Sequence, residues 1–371
     1  MTGWHRRTAI VAALIGLVNA CARNTRDGPT LQEHAWPVYL GAPARVGTPE
    51  TLATDPQPVW RASIARGITG AAAVTEDVLA IALSDHRVAL LDRSTGAVIW
   101  TRRVGQALGA GPLVSDDRVL VAEQGFGGHV HALRLINGFS FWDVKVGDVS
   151  APMALDGPAL FLGTIDGTVA RIDSHTGHFD WRVRLPGAVR AAPLAGPAGL
   201  LVATAADSLF LLDPTSGRIL VRRATRGTVM AAPARADSLV VFGTMAGRLE
   251  AIDPATLRQR WSLELGEPIV GSVAIQGGRV YAMTGRGTLA IVPLSGAPGQ
   301  RFPLGLSARA GPTPTAQGVV VCSVEGEIVM VDSTGAKQWT AHVQAPVMEP
   351  VLAAGHTLIA VSVRGDVVTF R

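Results

Sequence analysis

A phrase of about forty residues is written into this chain again and again, and that recurrence constrains the fold before composition does. Its fullest copy is residues 159–185, ALFLGTIDGTVARIDSHTGHFDWRVRL. The apolar run 160–164 leads to Asp166-Gly167, a two-residue hairpin signal. The alternating run 168–172 leads to Asp173-Ser174-His175-Thr176-Gly177. In that turn the Asp side chain can bond its own backbone and Gly can take a positive φ. A third run, 179–183, carries Trp181 at its centre. The turn Asp recurs at Asp92, Asp173, Asp213, Asp253 and Asp332, and the turn Gly at Gly96, Gly138, Gly177, Gly217 and Gly335. The strand Trp recurs at Trp60, Trp100, Trp142, Trp181, Trp261 and Trp339, with Val221 and Arg301 in the two gaps. The intervals are 40, 42, 39, 40, 40, 40 and 38 residues. A period near 40 with four strands per unit is the signature of a β-propeller. Eight slots predict an all-β chain of eight four-stranded antiparallel blades.

The ends of the chain supply the closure. Residues 57–64 hold Val59-Trp60, an outer-strand phrase with no blade before it. Residues 348–352, 357–362 and 366–370 read as three strands with no fourth. The N-terminal strand is therefore expected to complete the C-terminal blade, which removes sheet edges that would template aggregation. The propeller is assigned to residues 57–371. Most blades open on a small residue and Pro, as at Gly111-Pro112, Ala192-Pro193 and Gly311-Pro312. Proline lacks an N–H and suits a strand start; the small residue suits a crowded hub.

Residues 1–20 read as a targeting segment. His5, Arg6 and Arg7 precede an apolar run, 9–18, half the length that crosses a bilayer. The run ends Leu17-Val18-Asn19-Ala20-Cys21, which resembles a bacterial lipoprotein signal with Cys21 as the lipidated first residue. An ordinary secretory peptide and a retained anchor are the alternatives. Several acyl chains on Cys21 would anchor the chain stably, at about 0.8 kcal/mol per buried CH₂. Residues 21–56 hold scattered Pro, Arg and Thr without periodicity and read as the lipidated Cys and a flexible tether. Ala22 after that cysteine implies, by the same resemblance, release to the outer membrane.

Charge excludes one class of partner. The formal net charge is +4, and only two lysines occur, Lys145 and Lys337. That is too weak and scattered for nucleic acid. Catalytic constellations are also missing. The repeated Trp reads as packing between blades, and the repeated Asp as turn chemistry, since no Asp-x-Asp-x-Asp loop for calcium exists. His129 with His131, and His175 with His178, lack a third zinc ligand nearby. The glycine-rich insertion Gly125-Phe126-Gly127-Gly128 lacks the Lys-Ser/Thr and helix of a phosphate cradle. Cys322 sits in the apolar run 319–324 and reads as a buried free thiol, so no internal disulfide is expected. No metal and no cofactor are assigned.

The Asp-x-x-Thr-Gly turn with Trp four residues later resembles the pyrroloquinoline-quinone-type propeller repeat, across roughly 57–371. With the lipoprotein signal, the tether and eight blades, the chain resembles the BamB family of propeller lipoproteins. That resemblance implies a non-enzymatic scaffold, facing the periplasm from the outer membrane and monomeric within a complex. Its implied partner is the barrel subunit of the β-barrel assembly machinery. It also implies a contact by an apolar-Arg pair in a loop opening a middle blade, which Val189-Arg190 matches. The acidic pair that family places at the next blade is absent; Thr228-Val229-Met230 stands there. The rival is a quinone-binding dehydrogenase-like propeller, although this chain has no adjacent cysteines. A propeller binding another envelope partner is the third possibility.

Overall fold

A computed structural model describes residues 52, 55–64, 67–236 and 238–371. All of them lie in one compact unit, Leu31–Arg371. Cys21, the targeting segment and most of the expected tether lie outside the described residues.

The described chain forms eight four-stranded antiparallel sheets, the blades of an eight-bladed β-propeller. Seven are continuous in sequence, over 73–103, 113–145, 154–184, 194–224, 234–264, 274–303 and 313–342. The eighth joins Leu352–Ala354, Thr357–Val361 and Asp366–Phe370 to the N-terminal strand Pro58–Ser63. Pro58–Ser63 pairs antiparallel with Asp366–Phe370, as the sequence requires for closure. Leu52 adds a second clamp. It is 4% exposed, and Gln317 both accepts from its N–H (2.8 Å) and donates to its carbonyl (2.9 Å). The end of the expected tether is therefore docked on the ring.

In blade three the strands are Ala154–Asp156, Ala159–Gly163, Thr168–Asp173 and Phe179–Arg184, from hub to rim. The hairpin at Asp166-Gly167 differs from expectation. Its link is four residues, 164–167, closed by Gly167 N–H to Thr164 O at 3.1 Å. Gly167 alone has a positive φ (88°); a two-residue type I′ turn would need two such residues. The Thr164 hydroxyl takes the place of a backbone acceptor for Thr168 N–H, at 3.0 Å. The expected strand over 348–352 also moves, to Leu352–Ala354, because 343–351 links blade seven to blade eight.

Adjacent blades are held by the recurrent turn and the recurrent Trp. In five of the turns, at Asp92, Asp173, Asp213, Asp253 and Asp332, the carboxylate gathers nearby N–H groups. Asp173 accepts from His175 N–H (3.0 Å), Thr176 N–H (2.8 Å) and the Thr176 hydroxyl (2.8 Å). At Asp253, the Arg260 guanidinium and the Thr256 donors lower the carboxyl pKa to about 2. The turn then receives the Trp of the preceding blade. Trp181 Nε1 donates to Pro214 O at 3.0 Å, and its ring lies where a Cβ on Gly217 would come within 2.6 Å. Gly217 has φ +70°, so both the backbone and the ring demand glycine. Trp60, Trp100, Trp142 and Trp261 donate likewise to Arg93, Leu135, Ser174 and Leu294. Burying such a ring contributes about 2–4 kcal/mol.

The two gaps in the Trp series are filled differently. Val221 stands in register with Trp181, each opposite the same point of its neighbouring strand. The turn it faces has Leu257 in place of Gly, at φ +55° and fully buried in one cluster with Val221. The leucine fills the volume a Trp would take. In blade six the slot is not Arg301 as the spacing suggests. The two outer strands pair without the bulge seen in the other blades, so Gln300 falls in register and Phe302 packs over Gly335.

The hub is a ring of small residues. Gly70, Ala110, Ala151, Ala191, Ala231, Gly271 and Ala310 each stand five residues before the last residue of a first strand or its turn. Neighbouring members nearly touch: a Cβ on Gly70 would lie 2.9 Å from Ala110 C, and one on Gly271 2.6 Å from Ala310 C. Blade eight places Glu349 in this slot. Its side chain is half-buried, and burial raises its pKa to about 7.

Two predictions follow from the packing and the hub. Val221→Trp is expected to destabilise by about 1–3 kcal/mol through overpacking, and Leu257→Gly by about 2–4 kcal/mol through a cavity. The double variant should recover at least about 1 kcal/mol of their sum in a denaturant-unfolding cycle. Folding binds a proton at Glu349. The stability linked to it is complete below the ordinary value of 4.5 and is lost as pH rises through about 7. Glu349→Gln should therefore gain about 1–2 kcal/mol over the native protein between pH 5 and 8, in pH-resolved thermal unfolding.

Candidate docking face

Antiparallel strand order divides the loops between two faces. Links between second and third strands, and links from each rim strand to the next blade, share one face. Backbone hydrogen bonds stitch this face together. Val189 N–H donates to Thr164 O of the blade behind (3.0 Å), and Ala205 N–H of the blade ahead donates to Ala188 O (2.7 Å). Ile269 to Thr244 (3.1 Å) and Gly285 to Pro268 (2.9 Å) repeat the pattern.

That stitching decides where the expected contact pair points. Val189 is fully buried, packed where a Cβ on Gly163 would lie 2.2 Å from its Cγ1. Val149, Val229, Ile269 and Val347 are the same buried peg in other links. Val189 therefore positions the loop and offers no contact surface. Arg190 beside it is exposed and forms no ion pair among the described residues. Met230 holds the same place one blade on and is 37% exposed, with Met245 (40%) in the hairpin beside it. The peg was legible in the sequence, since Val149, Val189, Val229 and Ile269 are 40 residues apart.

Blade two departs from the pattern. Elsewhere Thr164, Thr244, Thr284, Ser323 and Ser362 open the hairpin, and the hydroxyls of Thr164, Thr244 and Thr284 accept an N–H across it. Here the link is six residues, 123–128, and Glu123 opens it. The longer side chain spans the longer loop. Glu123 is 2% exposed; its Oε1 accepts from Gln106 N–H (2.8 Å) and His131 Nε2 (2.9 Å), its Oε2 from His129 N–H (2.9 Å). Burial opposes its ionisation, but these three donors outweigh it and hold the pKa below the ordinary value. The loop so held carries Phe126, 98% exposed, between Gly125 (φ 108°) and Gly127 (φ 77°). The insertion was visible in the sequence, but Glu123 was missed; an acid where other blades carry a hydroxyl was the signal.

The other sequence candidates lie apart. The six Trp positions, Trp60, Trp100, Trp142, Trp181, Trp261 and Trp339, are built into blade packing. His129 pairs with Asp143 (3.0 Å), and His175 lies 3.5 Å from Asp116. Among the described residues no group of three or more His, Cys, Asp or Glu converges on one point. Cys322 is a buried free thiol, its pKa pushed up to about 12 by burial and by the nearby Glu349.

Comparison with known proteins adds the lineage. A family model described as outer membrane protein assembly factor BamB matches residues 51–127, 126–198 and 195–300. BamB of Burkholderia pseudomallei is 29% identical over 189 residues, 47% of this chain and 48% of that protein. BamB of Legionella pneumophila is 25% identical over 194 residues, 48% of this chain and 49% of that protein. The chain thus spans about half the length of these relatives. The crystal structure of Moraxella catarrhalis BamB superposes with a TM-score of 0.73 at 18% identity, covering 85% of this chain and 97% of that one. Quinohemoprotein alcohol dehydrogenase of Comamonas testosteroni superposes at 0.77 with 12% identity, covering 95% and 82%, a likeness of fold alone. With a family model running through residues 51–300 of a closed eight-bladed ring, the chain belongs to the outer membrane protein assembly factor BamB family.

Proposed function

We propose that this chain is a lipid-anchored periplasmic scaffold that assists assembly of β-barrel proteins into the outer membrane. It performs no reaction in this reading. Cys21 carries the lipid, residues 22–51 give reach, and the ring presents its stitched face to the barrel subunit. The observation that carries the proposal is the placement of Arg190. A buried peg and two backbone hydrogen bonds hold its loop, while its side chain stands exposed and Met230 is exposed at the equivalent place one blade on. A held backbone, an arginine without an ion pair among the described residues and an exposed apolar side chain on the next blade are the makings of an interface hot spot. Family membership supports the partner, and the lipoprotein signal supports the location.

Co-purification of the tagged chain with the barrel subunit in mild detergent tests the reading; clean absence of that subunit would end it. Arg190→Glu should weaken the association by about 2 kcal/mol, roughly 30-fold, with thermal unfolding unchanged. Cys21→Ala should take the protein out of the outer-membrane fraction, because the acyl chains on that cysteine are the anchor in this reading.

A further inference from the structure

The turn between the third and fourth strands of blade two, residues 134–139, breaks the blade repeat in its chemistry and keeps it in its shape. Arg134 stands in the slot that holds Asp92, Asp173, Asp213, Asp253 and Asp332 elsewhere. The backbone closes as it does at Asp173. Arg134 N–H donates to Phe139 O (2.7 Å), Gly138 N–H to Arg134 O (2.8 Å), and Phe139 N–H to Asn137 Oδ1 (3.0 Å). The turn thus forms without its acid, and apolar side chains project from it: Ile136 is 82% exposed and Phe139 58%. Val98 and Ile99 are also exposed, on the rim strand that binds this turn through Trp100 and Arg102. Cations flank the tip. The Arg102 guanidinium lies 4.3 Å from the centre of the Phe139 ring, and that of Arg134 lies 5.0 Å from the Phe141 ring. Arg103 and Arg134 are exposed with no ion pair among the described residues. Over 92–103, 115–118 and 134–145, six cations stand against four acids. All four acids already hold a donor: Asp92 the Thr95 N–H (2.9 Å), Asp116 the Ser115 hydroxyl (3.3 Å), Asp117 Arg118 (2.8 Å) and Asp143 His129 (3.0 Å). The matching corner of blade five, 253–264, balances Arg258 and Arg260 against Asp253 and Glu264 and exposes no large apolar side chain.

We propose that this corner of blade two docks on an anionic phospholipid bilayer. Ile136 and Phe139 enter the interfacial layer, and Arg103 and Arg134 meet lipid phosphates. Three observations favour lipid as the occupant. The apolar side chains stand on a projecting turn, so a protein partner would need a socket shaped to them, whereas acyl chains yield to any shape. The unpaired charges beside them are positive, and a guanidinium reaches a phosphate while its stem lies along apolar surface. Two copies meeting corner to corner would instead set Arg103 and Arg134 against like charges. The chain also leaves the ring on this side. Turns between first and second strands, and between third and fourth, share the face opposite Arg190, and Leu52 is held there by Gln317. The residues between Leu52 and Cys21 span up to about 100 Å when extended, so the anchor and the corner can reach one bilayer. Confinement by the tether raises the effective concentration of lipid, so a corner of modest affinity is occupied. The inference rests on the lipid-anchor reading for bringing a bilayer within reach; it does not involve the barrel subunit, and it leaves the Arg190 face open.

The test is vesicle flotation of the complete mature chain made without lipid, with Cys21→Ala behind a cleavable secretory signal. Phosphatidylcholine vesicles with about 40 mol % phosphatidylglycerol should carry this parent chain, and pure phosphatidylcholine vesicles should not. Ile136→Asp and Arg134→Glu should each lower the bound fraction at least about fivefold, with thermal unfolding unchanged. Arg190→Glu, on the opposite face, should float as the parent does. A polarity-sensitive dye on Ile136→Cys should brighten on the anionic vesicles, and the same dye on Arg260→Cys should not. The inference is overturned if the parent does not float with anionic vesicles, if neutral vesicles carry it equally, if Ile136→Asp floats as the parent does, or if Arg190→Glu lowers binding as much as Arg134→Glu. A dimer in sedimentation velocity that Ile136→Asp abolishes would also overturn it, assigning the corner to a second copy. The assay contains neither acyl chain nor barrel subunit, so its failure leaves the scaffold reading to its own tests.

Discussion

The structure depends on one contact made repeatedly: the indole of one blade seated on the turn of the next. The indole N–H finds a turn carbonyl, and the ring lies on an α-carbon that has no side chain. Each requirement alone is ordinary; together they fix distance and angle between blades. Five indole junctions, with Val221 on Leu257 and Phe302 on Gly335 in the same place, carry the chain round to its start. Where the turn carries an Asp, as at Asp213 beneath Trp181, its carboxylate organises the receiving surface.

The fold was legible because this contact leaves a mark in sequence. Trp, Asp, Thr and Gly are all dictated by one geometry, so they recur with the period of the blade. The failures are equally physical. Gln300 replaced Arg301 because blade six lacks a one-residue bulge, and a bulge is invisible to a spacing count. Leu257 replaced the turn Gly because Val221 left a space, a compensation that only shows once the two are in contact. Asp166-Gly167 reads as a tight turn, whereas the Thr164 hydroxyl completes a longer one.

The face was less legible than the fold. Val189 looked like half of a contact pair, yet its 40-residue echoes mark it as framework. Here periodicity separates architecture from chemistry. Side chains that obey the period hold the ring: Val149, Val189, Val229, Ile269. Side chains that break it, Phe126, Arg190, Met230 and Glu349, are not dictated by the blade repeat, while Glu123 departs from it to hold the longer loop. The asymmetry needed to bind one partner in one orientation must come from such positions, because a regular ring is alike on every side.

The closing blade has a consequence for how the molecule is made. Among the described strands Pro58–Ser63 is first in sequence and Asp366–Phe370 last, yet they are hydrogen-bonded neighbours. The opening strand must wait, with a bare edge, until nearly the whole chain has followed. The eighth sheet needs both of these segments, so the ring cannot close before the last described strand is present. A chain truncated anywhere near its C-terminus loses that event entirely and keeps its opening strand as a sticky edge.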